Sequence, residues 1–98
     1  MTSPSLDTGA YVVLAYEYVP DILDRRDPVR PAHLEHARAA KERGDLLNVG
    51  AVGSPPTGAL FVFADVAPEA VEAYADADPY VTAGLVTARR VDPWTVVV

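Results

Sequence analysis

The chain has 98 residues, half of them in the hydrophobic class and 22% charged, which suits one small globular domain rather than a disordered tail. It contains no cysteine, which excludes disulfides, thiolate catalysis and cysteine-ligated zinc or iron–sulfur sites. Fourteen acidic against eight basic residues give a formal net charge of −6, which argues against a general nucleic-acid-binding surface.

The opening MTSPSLDTG is polar and lacks the basic start and apolar core of a signal peptide, so residues 1–9 are expected to form a flexible tail ahead of a domain over 10–98. No apolar run approaches the roughly 20 residues that span a bilayer, so no membrane partner is expected and cytoplasmic residence is the default. AYVVLAYEY, from Ala10 to Tyr18, is rich in aromatic and branched side chains and reads as a first strand. Its near-continuous apolarity predicts a central place in a sheet. Pro20 and DILDRRDP then interrupt pairing and gather Arg25, Arg26 and Arg30. The plain reading of that cluster is a solvated loop patch; the sharper one is a local site for an anionic small molecule, since net charge does not set the potential inside a pocket.

Pro31 suits the first turn of a helix running to about Arg43, with Gly44 as its stop. Leu34, Ala37, Lys41 and the flanking alanines mark an inward stripe bordered by His33, with Glu35, Arg38 and Glu42 outside. LLNVGAVG and ALFVFADV are the next two strands, an antiparallel hairpin joined through SPPTG. Pro68 begins a second helix, PEAVEAYADA, with Ala70, Val71, Tyr74 and Ala75 as its packing face. In DPYVTAG, Asp78 can cap a further helical turn, Pro79 fits its first position and Gly84 can end it. LVTARRVDPWTVVV reads as the last strand, with Pro93 at an edge or irregularity.

The order strand, helix, strand, strand, helix, strand predicts an α+β, ferredoxin-like βαββαβ fold with a four-stranded antiparallel sheet. Two helices cover only one face of such a sheet. Face-to-face pairing of two subunits would cover the other and enlarge a core that is small at this length.

His33 and Asp78 are the pair with the most chemical content. Imidazole exchanges a proton near neutral pH, and a carboxylate beside it can fix its tautomer and stabilise the protonated ring. Each also has an ordinary reading, as a helix-face histidine and as an N-cap. Arg30, three residues before His33, is an anion clamp if the helix starts early enough, or else a surface ion pair. Tyr80 can bring its hydroxyl near Asp78, while Tyr16, Tyr18, Phe61, Phe63 and Trp94 read as core or pocket wall. His36 lies three residues from His33, but HLEH lacks the HExxH spacing and no third histidine exists, so exposed helical polarity is the stronger account and no metal is expected. There is no GxGxxG, no GxxxxGKS/T and no serine elbow, and no cofactor is expected.

Taken in order, RPAHL from Arg30, GDLLNVG from Gly44, DPYVTAG from Asp78 and VDPW from Val91 resemble the YCII-related protein family, over Tyr11 to Val97. The resemblance implies a ferredoxin-like subunit paired as a dimeric α/β barrel, with an active site in which His33 and Asp78 match the family's histidine and aspartate. Arg30 matches the arginine of the RxxH phrase, and Pro31 bears on how it is oriented. One related member resembles a dehydrochlorinase of a chlorinated hydroxyhydroquinone. The expectation drawn from this is a cofactor-independent lyase, isomerase or dehalogenase-like enzyme acting on a small acidic cyclic or aromatic compound. His33 moves the proton, Asp78 orients His33, and Arg30 or Tyr80 meets developing negative charge. The alternatives are a non-catalytic binding or accessory protein using the same pocket, and a structural interaction module using the open sheet face.

Overall fold

A computed structural model describes residues 6–98, so the first five residues of the expected tail lie outside it. The elements run β1 (Gly9–Tyr18), α1 (Ile22–Arg25), α2 (Arg30–Glu42), β2 (Leu46–Val52), β3 (Gly58–Phe63), α3 (Pro68–Ala77), α4 (Pro79–Thr82) and β4 (Val86–Val96). The four strands form one sheet in the order β2-β3-β1-β4, with every neighbouring pair antiparallel. This is the expected α+β, ferredoxin-like arrangement, and the apolar β1 is central as its composition predicts. β1 begins one residue earlier than expected, because Gly9 pairs with Val96. α1 was not anticipated: it forms inside DILDRRDP, held by Ile22, which is buried.

Alternation along the strands sorts the side chains into two faces. Val12, Leu14 and Tyr16 of β1 lie opposite Phe63, Phe61 and Ala59 of β3, and all six are buried beneath the helices. α3 adds Val71, Tyr74 and Ala75 to that core, while Ala70, expected there, is exposed. α2 turns His33, Ala37 and Ala40 inward, an i, i+4, i+7 stripe. Lys41, expected inside, is exposed, and His33 stands in the stripe rather than at its border. The helix is therefore rotated by about one residue from the expected phase, which its many alanines leave weakly specified.

The other sheet face carries Val13 and Ala15 of β1, half-buried, beside Val62 and Leu60 of β3. Leu60 is 44% exposed. Pro93 sits on β4, an edge strand, where its missing N–H costs no inner ladder bond. Gly44 ends α2 in the left-handed region at φ 84°, donating its N–H to the Lys41 carbonyl. Among the described residues no helix is long and apolar enough to cross a membrane.

Candidate active site

Asp78 occupies the junction of α3 and α4. Its N–H bonds the Ala75 carbonyl at the end of α3, and Pro79 opens α4 directly after it. The extended backbone at Asp78 lets its side chain cap α4, where Oδ1 accepts the Tyr80 N–H at 3.0 Å. The N-cap role does not prevent contact with His33, because the same Oδ1 lies 2.8 Å from His33 Nδ1. Oδ2 accepts the Tyr16 hydroxyl at 2.8 Å.

Asp78 is 0% exposed. A carboxylate removed from water is tolerated only when its oxygens are taken up by donors, and here backbone N–H, phenol and imidazole supply three. Because an ionised carboxylate only accepts, the hydrogen bond to His33 puts the proton on Nδ1 and leaves Nε2 with a lone pair. Nε2 has no hydrogen-bond partner among the described residues.

The imidazole is fixed on its faces as well. It stacks on the Tyr80 ring at a centroid distance of 3.6 Å and 3° between planes, and Phe61 meets it edge-on at 6.5 Å. Tyr80 thus serves the dyad through its ring and its backbone N–H. The hydroxyl that reaches Asp78 is that of Tyr16, not the expected one of Tyr80.

His33 opens onto a cleft of about 170 Å³. Arg26, Arg30, Tyr18 and Tyr80 line it beside His33, and the Val49–Ala51 stretch of β2 forms the facing wall. Arg30 is the first residue of α2, so Pro31 sits within the first turn and leaves Arg30 one helical turn from His33. Burial, followed by the charge of Asp78, raises the Tyr16 hydroxyl well above the ordinary tyrosine range and keeps it a donor. Burial likewise pushes Tyr18 up to about 12, with Tyr80 and Asp78 adding to the rise and the charges of Arg26 and Arg30 opposing it. Tyr80 is raised by burial against the same two arginines. Both phenols stay protonated at neutral pH within reach of guanidinium charge.

The remaining expected residues lie elsewhere. His36 is half-buried and bound: Nε2 donates to the Tyr74 carbonyl at 2.9 Å and the ring stacks on Tyr74, which pins α2 to α3. That corrects its reading as exposed polarity. Phe63 packs in the core, and Trp94 is 42% exposed against Tyr11, outside the cleft. Arg25 pairs with Asp21 at the surface, so the arginine cluster divides, with Arg26 and Arg30 in the cleft and Arg25 outside.

The family model of the YCII-related domain matches residues 10–95. The chain belongs to the YCII-related family. Protein YciI of Escherichia coli O6:H1 and of Shigella flexneri are each 38% identical over 93 residues, covering 86% of this chain and 94% of theirs. Among solved structures, the 5-chloro-2-hydroxyhydroquinone dehydrochlorinase TftG of Burkholderia phenoliruptrix AC1100, in complex with 2,5-dihydroxybenzoquinone, superposes with a TM-score of 0.73 at 20% identity. It covers 87% of this chain and 93% of its own. An antibiotic biosynthesis monooxygenase superposes with a TM-score of 0.60 at 12% identity, over 90% of this chain and 98% of its own. At these identities the two structures bear on the fold alone.

The sequence placed Arg26 in a basic cluster that could meet an anionic small molecule and Tyr16 among core or pocket-wall residues, and the structure puts Arg26 in the cleft. The hydrogen bond of Tyr16 to Asp78 was not expected, although a tyrosine at a core position needs a partner for its hydroxyl.

Proposed function

We propose that this YCII-related protein is a cofactor-independent lyase, isomerase or dehalogenase-like enzyme that moves a proton on a small acidic cyclic or aromatic compound. The observation that carries this reading is the buried Tyr16–Asp78–His33 chain, whose imidazole lines a cleft together with two arginines and has no hydrogen bond on Nε2 among the described residues. His33 Nε2 takes a proton from a carbon next to a carbonyl, and the electron pair moves onto the carbonyl oxygen. Arg30 and the protonated Tyr80 hydroxyl receive that oxyanion. Asp78 keeps the tautomer and stabilises the imidazolium that forms. Returning the proton to another carbon completes an isomerisation. Expelling an anionic leaving group from the neighbouring carbon completes an elimination, with proton and leaving group together forming the acid released.

The reading also pairs two subunits through the open sheet face, where Val13, Ala15, Leu60 and Val62 form an apolar patch. The cytoplasm is its expected location.

The test is deuterium incorporation from heavy water into a panel of small cyclic keto and hydroxy acids, followed by NMR. The wild-type protein is expected to exchange a C–H of at least one compound ~10²-fold or more faster than His33→Ala, the usual contribution of a general base. Equal rates in the two proteins would contradict proton transfer by His33. Saturable binding with neither exchange nor product would instead support a non-catalytic binder, which the arginine-lined cleft also suits.

A further inference from the structure

Two arginines of the cleft are unmatched by carboxylates, in a chain with fourteen acidic and eight basic residues. The ion pairs of the described residues engage Arg25, Arg38, Arg43, Arg89 and Arg90 with aspartate or glutamate, and none of them involves Arg26 or Arg30. Arg26 goes further. Its Nε is buried and has no hydrogen-bond partner. A buried guanidinium N–H without an acceptor is costly and calls for an explanation.

The backbone places Arg26 deliberately beside Arg30. Arg26 closes α1 with its N–H on the Ile22 carbonyl at 2.9 Å. Its own carbonyl accepts the N–H groups of Val29 and Arg30 at 2.9 and 2.7 Å, so one tight turn joins α1 to α2 and carries both arginines to the same cleft. The charges of both reach the Tyr18 and Tyr80 hydroxyls. Arg30 stands nearer in sequence to His33, on the same helix; Arg26 approaches from α1.

We propose that Arg26 anchors a permanent carboxylate on the ligand, separate from the position at which Arg30 and Tyr80 meet the oxyanion. Arg26 lines the cleft with its Nε turned away from solvent, and a change of rotamer that brought the Nε edge to a ligand would match two parallel N–H groups to the two oxygens of a carboxylate and satisfy the orphaned Nε. At about 170 Å³ the open cleft has room for a single ring, since a closed cavity of ~150 Å³ admits benzene. The ligand class is therefore a carboxylic acid on a single ring, or an acid of equal bulk. This rests on the reading of the cleft as a ligand site, and it makes Arg26 a determinant of specificity rather than a participant in proton transfer.

Benzoate and its uncharged counterpart benzamide test this, each titrated into the full-length protein and followed by NMR chemical shifts. Wild type is expected to bind benzoate at least ~tenfold more tightly than benzamide, and Arg26→Gln to abolish that preference while leaving benzamide binding unchanged. Arg25→Gln, altered at an exposed ion pair outside the cleft, is expected to behave as wild type. If Arg26→Gln does not fold, Arg26→Lys keeps the charge without the fork and is expected to lose severalfold in benzoate affinity. Benzoate bound no better than benzamide by wild type would overturn the proposal. A preference that survives both Arg26 substitutions would overturn it as well. His33→Ala is expected to keep the benzoate preference, so a failure of proton transfer and a failure of the anchor are told apart.

Discussion

At the residue scale the site depends on a carboxylate that water does not reach, and each of its donors is structural as well as chemical. Tyr16→Phe removes the donor on Asp78 Oδ2 and changes nothing in the ring packing. Leaving a buried acceptor unmatched costs about 1–3 kcal/mol, which urea denaturation is expected to read as a lowered midpoint at an unchanged slope. Raised phenol pKa values give a second prediction. Tyr18 ionises at its ordinary value of 10.0 when unfolded and at about 12 when folded, so above pH 10 the unfolded chain sheds a proton that the folded one keeps. The stability is complete below pH 10 and falls as pH rises toward 12. Tyr18→Phe should lessen that fall in denaturation curves across this window, with the part contributed by Tyr16, Tyr74 and Tyr80, also raised, remaining. Of these residues, His33 and Asp78 were legible in the sequence because their chemistry and the DPYVTAG cap announce them. Tyr16 was not, since in an apolar strand it is indistinguishable from core and its partner lies 62 residues away.

At the element scale the strands and helices follow from local signals. Prolines open α3 and α4, glycine closes α2, and near-continuous apolar runs mark β1 and β3. The phase of α2 does not, because alanines at 37, 39 and 40 offer several near-equal inward faces and the choice falls to what His33 can reach. α1 escaped notice for a related reason: four residues give no periodicity to read, and the burial of Ile22 with the Arg26 N–H on its carbonyl holds them. Register is enforced by close approach. Gly58, paired with Glu17 at the start of β3, has no room for a side chain, because a Cβ there would collide with the Tyr16 carbonyl. Gly58→Ala is expected to push β3 from β1 at the level of Tyr16 and to destabilise the fold by ~1–3 kcal/mol, the range for overpacking. Thermal unfolding checks this against Gly50→Ala, where a Cβ would enter open space.

At the scale of the whole molecule, all helical cover lies on one side of the sheet and the catalytic candidates lie beneath it. The opposite side leaves apolar residues of β1 and β3 accessible, with Leu60 at 44%. The sequence made that imbalance visible, because two helices cannot cover both faces of four strands. The proposed homodimer through that face would bury the patch, and sedimentation velocity is expected to show a dimer that Leu60→Asp converts to monomer. A wild-type protein that sediments as a monomer at all accessible concentrations would contradict the pairing. The cleft lies on the helical side, lined by Arg26 just after α1, by α2 and α4, and by residues of β1, β2 and β3, so its geometry within one subunit comes from the chain's own residues.

The central claim is that Asp78 holds His33 with its proton on Nδ1 and a bare Nε2 facing the cleft. Imidazole nitrogen NMR of the ¹⁵N-labelled protein reads this directly at a pH where the ring is neutral. His33 is expected to show a protonated Nδ1 and an unprotonated Nε2, with the tautomer bias lost in Asp78→Ala, which leaves Nδ1 no acceptor. A neutral His33 carrying its proton on Nε2, or a tautomer indifferent to Asp78→Ala, would contradict this.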